Sequence, residues 1–250
     1  QLGGYAINLA WDMVRLGERE SIEDVAKNLS RWVNIIILRT YAQTRLEKLA
    51  NSAHVPVINA LTDEFHPCQA LAMMLTLNEH LGKVKGKTVC FVGDGNNVAS
   101  SHMIICSKLG VNYTIACPEN YSIDMELFNK AKAIAKNNNC RISQIRDPFE
   151  GVKNADLIYT DTWASMGQEK EQAKRKRIFA AYQVNKKLMQ AAPGHALVSH
   201  CMPAHRGEEI TSEVIDGRQS IAFDEAENRL HVQKGVILFL LGKASGSGKS

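Results

Sequence analysis

Apolar and polar positions follow two rhythms along this chain, and the switches between them lay out its elements. In "ESIEDVAKNLSRWV" (20–33) apolar residues fall at 22, 25, 26, 29, 32 and 33, the spacing of one helix face. Ser21 with Asp24 three residues on predicts a capping box at its start. "NIIILRT" then predicts a buried strand, "QTRLEKLANSA" a helix and "VPVINA" a second strand. In "TDEFHPCQALAMMLTLNEHLG", Pro67 suits the first helical residue and Gly82 the stop.

The next stretch is more regular. "KTVCFVGDGNNVASSHMIICSKLG" predicts strand, tight glycine turn and helix; "NYTIACP" a strand; "SIDMELFNKAKAIAKNNN" a helix. "CRISQI", "DLIYTD" and "HALVSHCMP" add three short β-rich runs. Apolar strands alternating with helices predict an α/β fold, a parallel Rossmann-like sheet with helices on both faces. Ligands of such sheets bind beyond the carboxyl ends of the strands. Three polar clusters fall there: "GDGNN", "TDTWASMG" and "HCMPAHRG". "DEAENRLHVQKGVILFLLG" predicts a closing amphipathic helix, and "KASGSGKS" a flexible linker or tag-like tail. The final "GKS" is no phosphate loop, because Lys243 stands where that motif needs glycine.

Composition narrows the class. With 250 residues, 45% hydrophobic and 22% charged, the chain suits a soluble protein of one large or two small domains. The formal charge of +4 is mildly basic and suits a small anionic substrate. The densest basic run, "KEQAKRKR" (170–177), begins among acids and carries no aromatics, which predicts a solvated face rather than a nucleic-acid patch. The six cysteines (68, 90, 106, 117, 140 and 201) form no C-x-x-C pair, so neither a disulfide framework nor a zinc ribbon is expected. Reduced thiols in a cytoplasm fit best. No signal-peptide pattern opens the chain, and no apolar run approaches the roughly 20 residues that cross a membrane.

Four local patterns carry candidate chemistry. "VGDGNN" looks like a dinucleotide turn, but Val98 replaces the third glycine and no acid ends the following strand; Asn96 and Asn97 offered to a polar ligand at a helix N-terminus is the better reading. His66 starts a helix one turn from Gln69, as an anion site would have it, and equally as a core histidine would. Asp161 ends a strand, either as a helix cap or as a carboxylate for a ligand ammonium. Cys201 is no ready nucleophile, since His200 points to the other side of a continuing strand. A zinc site from His200, Cys201 and His205 lacks a second ligand pair. What remains is a thiol near donors, able to polarise a substrate or relay a proton.

Taken together, "HPCQALA" (66–72), "GDGNN" (93–97), "DTWASMGQE" (161–169), "HCMPAHRGEEIT" (200–211) and "FDEAENR" (223–229) closely resemble the ornithine carbamoyltransferase family, over residues 3 to about 242. "DTWxSMG" is the motif that favours ornithine over the substrates of related enzymes. The resemblance implies transfer of the carbamoyl group of carbamoyl phosphate to the δ-amino group of L-ornithine, giving L-citrulline and phosphate, with no metal and no organic cofactor. It implies that Arg39, His66, Gln69, Cys201 and Arg229 hold carbamoyl phosphate, and that Asn97, Asp161, Ser165, Met166 and Met202 form the ornithine shell. Cys201, Asp161, Arg39 and His66 carry the catalysis on this reading, with Cys201 as a proton relay.

It further implies a partial carbamoyl-phosphate domain over 1–65, an ornithine domain over 66–222, a helix over 223–242 returning to the first domain, and a tail over 243–250. The assembly it implies is a homotrimer, in the cytoplasm, without nucleic-acid or membrane partners. There are two departures. Met202 stands where the family usually has leucine, at a position used through its backbone carbonyl. The family's S-T-R-T phosphate cradle has no counterpart in these residues, so the expectation is a chain weakly active or inactive by itself. The alternative is a non-catalytic module that binds ornithine or another amino acid.

Overall fold

The structure, a computed structural model, describes residues 1–10, 14–164 and 171–242. The chain divides into two compact units, one of residues 1–68 with 230–250 and the other of Gln69–Arg229. The tail over 243–250 lies outside the described residues.

In the first unit, α1 (Ile22–Trp32), β1 (Ile36–Arg39), α2 (Gln43–Ser52) and β2 (Val57–Leu61) follow one another as the pattern predicts. Ser21 caps α1 by accepting the Asp24 N–H at 3.1 Å. β1 and β2 pair in parallel, Ile36 opposite Val57, and the register slips between Leu38 and Arg39. Leu16, Val25, Ala26, Ile36 and Leu49 form a small core.

The second unit runs from α3 (Pro67–Leu81), whose first two residues belong to the first unit, through β3 (Thr88–Val92), α4 (Asn97–Leu109), β4 (Asn112–Ala116), α5 (Met125–Asn137) and β5 (Ile142–Ile145). It continues through α6 (Pro148–Val152), β6 (Leu157–Thr160), α7 (Gln172–Phe179), α8 (Lys186–Ala191), β7 (Leu197–His200), α9 (Ser212–Ile215) and the first turns of α10 (Ala222–Leu240). All five strands are parallel, in the order β5-β4-β3-β6-β7.

Side chains alternate across the sheet, as the two-residue strand period requires. Val89, Phe91, Leu157 and Tyr159 pack on one face with Met73, Leu77, Met103 and Ala131 from α3, α4 and α5. Cys90, Val92 and Ile158 pack on the other with Val152, Phe179, Leu188 and Val214 from α6 to α9. Both faces are covered, so the strands read as continuous apolar runs. The short helices α6, α8 and α9 had no clear period to announce them.

The solvated-face reading of 170–177 needs correction at one residue. Arg175 is buried (6% exposed), although its neighbours Lys174, Lys176 and Arg177 are exposed. It donates to Asp94 Oδ2 and to the Trp163 carbonyl, both at 2.7 Å. One guanidinium thereby ties the loop after β3 to the loop after β6.

Candidate active site

The strand order reverses between β3 and β6. The chain leaves β3 toward β4 and β5, then returns to lay β6 and β7 on the other side of β3. The loops after β3 and β6 therefore diverge and leave a crevice at their carboxyl ends. The described residues of the three polar clusters, 93–97, 160–164 and 200–207, reach this end of the sheet.

After β3, Gly93 adopts φ +144°, a conformation that only glycine takes without strain. At Gly95 a Cβ would stand 2.4 Å from the Ile123 nitrogen and 2.5 Å from the Ser122 carbonyl carbon. The second glycine of "GDGNN" thus lets the turn lie against the backbone at 122–123. Asn96 then caps α4, its Oδ1 accepting the N–H groups of Val98 and Ala99, each at 3.0 Å. Its Nδ2 donates to Asp161 Oδ2 at 2.8 Å. Asn96 is committed to protein contacts, which corrects the reading of it as a group offered to a ligand. Asn97, the first residue of α4, stays half-buried beside it.

Asp161 follows the end of β6 and is buried. Besides Asn96 it accepts the Thr162 N–H at 2.7 Å and the Cys201 thiol at 2.7 Å, both on Oδ1. Among the described residues it caps no helix; it gathers donors from three loops. Burial, and then the Asp161 carboxylate, push the Cys201 thiol well above its ordinary pKa. The thiol stays protonated at neutral pH and acts as a donor, not as a thiolate nucleophile. A proton relay through it must hand a proton to Asp161 as it takes one up.

His200, the last residue of β7, turns away from Cys201. Its Nδ1 accepts the Met202 N–H at 2.9 Å, which leaves Nε2 to donate to Glu209 Oε1 at 3.1 Å. Glu209 Oε1 also accepts the His205 N–H at 2.5 Å. Met202 adopts φ +52°, a left-handed conformation in which the hydrogen bond to His200 holds it. Ligand-type atoms of Asp161, His200 and Cys201 lie within 4.8 Å of one another, as do those of His205, Glu208 and Glu209. The trio weighed from the sequence, His200, Cys201 and His205, is not one of these groups. Both His200 nitrogens are already engaged in protein hydrogen bonds.

A second polar group sits on the opposite face of the sheet from Arg175. Glu225 of α10 is fully buried (0% exposed). Its carboxylate accepts Gln69 Nε2 at 2.5 Å, the Tyr159 hydroxyl at 2.6 Å and the Ser199 hydroxyl at 2.6 Å. Gln69 Oε1 in turn accepts from Arg229. Gln69 and Arg229 are therefore brought together. Arg39 is exposed at the end of β1 and His66 is buried just before α3, both in the first unit. Ser165 and Met166 lie outside the described residues.

Comparison with known proteins decides the family. Residues 1–79 match the aspartate/ornithine carbamoyltransferase carbamoyl-P binding domain, and residues 85–240 match the Asp/Orn binding domain of the same family. The chain belongs to the aspartate/ornithine carbamoyltransferase family. The ornithine carbamoyltransferase of Caldicellulosiruptor saccharolyticus is 47% identical over 240 residues, 96% of this chain and 78% of that protein. The one from Bacillus subtilis is 47% identical over 247 residues, 99% of this chain and 77% of its own length. Among solved structures, ornithine carbamoyltransferase from Pyrococcus furiosus superposes with a TM-score of 0.93 at 47% identity, over 96% of this chain and 77% of that one.

For a carbamoyltransferase of this family the sequence motifs named the loops, but not every residue that shapes them. Asn96, Arg175, Glu209 and Glu225 escaped notice as organising groups. Arg175 had one signal, its position four residues before the buried Phe179, where an α-helix brings both to one face. Glu225 had another, standing one helical turn before Arg229.

Proposed function

We infer that this chain transfers the carbamoyl group from carbamoyl phosphate to the δ-amino group of L-ornithine, giving L-citrulline and phosphate. The observation that carries the reading is the Cys201–Asp161 pair at the strand-order reversal, in a chain that shares 47% of its residues with ornithine carbamoyltransferases. The neutral δ-nitrogen attacks the carbonyl carbon, the bond from that carbon to the phosphate oxygen breaks with its electron pair on the departing phosphate, and the proton released from the δ-nitrogen passes to that phosphate. Such a step needs the charge of the leaving phosphate to be met by fixed cations and donors. It also needs the amine to arrive neutral and aimed.

Roles follow by residue. Arg39, His66, Gln69 and Arg229 take the phosphate and carbamoyl groups, the guanidiniums by their matched pairs of N–H donors. Asp161 and Asn97 take the α-amino end of ornithine, and Ser165 and Met166 its carboxylate. The Met202 carbonyl and the Cys201 thiol face the δ-amine, with Cys201 close to the carbamoyl group. We place the enzyme in the cytoplasm as a homotrimer. Six free cysteine thiols support a reducing compartment, and among the described residues no helix is long and apolar enough to cross a membrane.

The test is direct. Purified protein given carbamoyl phosphate and ornithine is expected to form citrulline and phosphate in equal amounts, at a low rate in keeping with the weak activity expected from its sequence, and to scatter light as three chains. Ornithine binding without citrulline would favour the amino-acid-binding module instead. Failure to bind either substrate would remove both readings.

A further inference from the structure

Gln69 can present either end of its amide in a given direction, because its oxygen and nitrogen occupy nearly the same space. Here nothing in Gln69 itself makes the choice. Glu225 makes it: an ionised carboxylate only accepts, so the Gln69 NH₂ must face Glu225 Oε1, at 2.5 Å, and the Gln69 oxygen must face away. That oxygen accepts from the Arg229 guanidinium. Arg229 lies one helical turn beyond Glu225, so carboxylate and guanidinium share a face of α10 and meet through the amide.

Glu225 is itself held from every side that packs on it. Tyr159 reaches it from β6, Ser199 from β7 and Gln69 from α3. Of the ionisable groups around it, His200 on β7 favours its charged form. The Tyr159 hydroxyl and Cys201 thiol stay protonated, since burial raises both. A carboxylate with no exposure, three donors and an arginine reached through an amide is more apparatus than α10 needs for packing alone.

We propose that Glu225 is a positioning residue for carbamoyl phosphate, fixing the Gln69 amide and through it the Arg229 guanidinium. This rests on the function inferred above. Burial pushes the Glu225 carboxyl up to about 7, against the pull of its hydrogen bonds to Ser199, Tyr159 and Gln69. The sign follows: as pH falls through neutrality Glu225 takes a proton, gains a donor and loses its hold on the Gln69 NH₂.

The test compares the wild-type chain with Glu225→Gln, an isostere whose own NH₂ can turn the Gln69 amide round. Expected is a rise of roughly tenfold or more in KM for carbamoyl phosphate, with KM for ornithine within about twofold and kcat largely kept. The wild-type kcat/KM for carbamoyl phosphate should fall below about pH 7, and this limb should vanish in the variant. Ser199→Ala and Tyr159→Phe each delete one donor to the carboxylate and should move the limb to higher pH. Equal losses toward both substrates, or a limb unmoved by all three changes, overturns the proposal.

Carboxyl-carbon NMR of the wild type, with the Glu225 resonance assigned by its loss in Glu225→Gln, reads the titration without turnover. A Glu225 that titrates in the ordinary carboxylate range overturns the proposal as well. Absence of citrulline from the wild type, with the Glu225 resonance titrating near neutrality, counts against the inferred function instead.

Discussion

Asp161→Asn is expected to lower kcat/KM for ornithine by about two to three orders of magnitude, roughly 3–4 kcal/mol of transition-state stabilisation. The carboxylate accepts from Cys201, Asn96 and the Thr162 N–H. An asparagine keeps one oxygen for these donors and turns an NH₂ toward the others, so the thiol or the Asn96 amide meets a donor instead of an acceptor. The negative charge proposed to meet the ornithine α-ammonium is lost with it. Steady-state kinetics with each substrate varied would show the loss, concentrated on ornithine, while thermal unfolding should register only the smaller cost of about 1–3 kcal/mol for one buried donor left unmatched. A loss below about fivefold would take Asp161 out of the ornithine shell.

The largest stability effect is expected at Arg175→Met. This change leaves Asp94, 11% exposed, without its guanidinium and the Trp163 carbonyl without its donor. Breaking a buried pair from one side costs about 3–5 kcal/mol, because the remaining charge stays desolvated. Urea unfolding at neutral pH measures it. Burial already raises the Asp94 carboxyl in the folded protein, and Arg175 is the main group pulling it back down. Without Arg175 the raised pKa rises further. A raised carboxyl contributes stability that is present at low pH and lost as pH climbs through the folded value. The defect should therefore shrink in acid. Asp94→Asn in the same background should recover part of it; no recovery would mean the helix packing of α7, not the charge, was damaged.

Much of this architecture could be read from the residues alone, for a physical reason. Helix α5 buries one stripe, at Ala131 and Ala135, while α3 and α4 are buried on most sides and β3 and β6 on both faces, so the first shows a helical period and the others read as apolar runs of helix or strand length. Pro67, Ser21 and Asp124 mark helix starts through backbone chemistry that depends only on neighbours, Asp124 accepting the Leu127 N–H at 3.0 Å.

What escaped depends on distant partners. Arg175 sits among five exposed residues of its own helix, and charge content does not say which turns inward. Asn96 at a helix start reads equally as cap or ligand group; Asp161, 65 residues away in sequence, takes its other end. Glu225 stands beside Asp224 in the first turn of α10, where acids are expected for the helix dipole. Only the pairing of β6 and β7 beside it reveals that it is enclosed.

The strand order also governs when the crevice can exist during folding. Cys90 pairs with Thr114 of β4, a neighbour closed by one helix, but with Ile158 of β6 only after two further strands have been laid down. Longer loops close at greater entropic cost and more slowly. A refolding chain is thus expected to protect the β3–β4 amides from hydrogen exchange before those of β6. Protection of β6 first would contradict this order. The Asp161 carboxylate meets Asn96 only at that later step, so a chain can be compact, and largely helical, while still blind to its substrate.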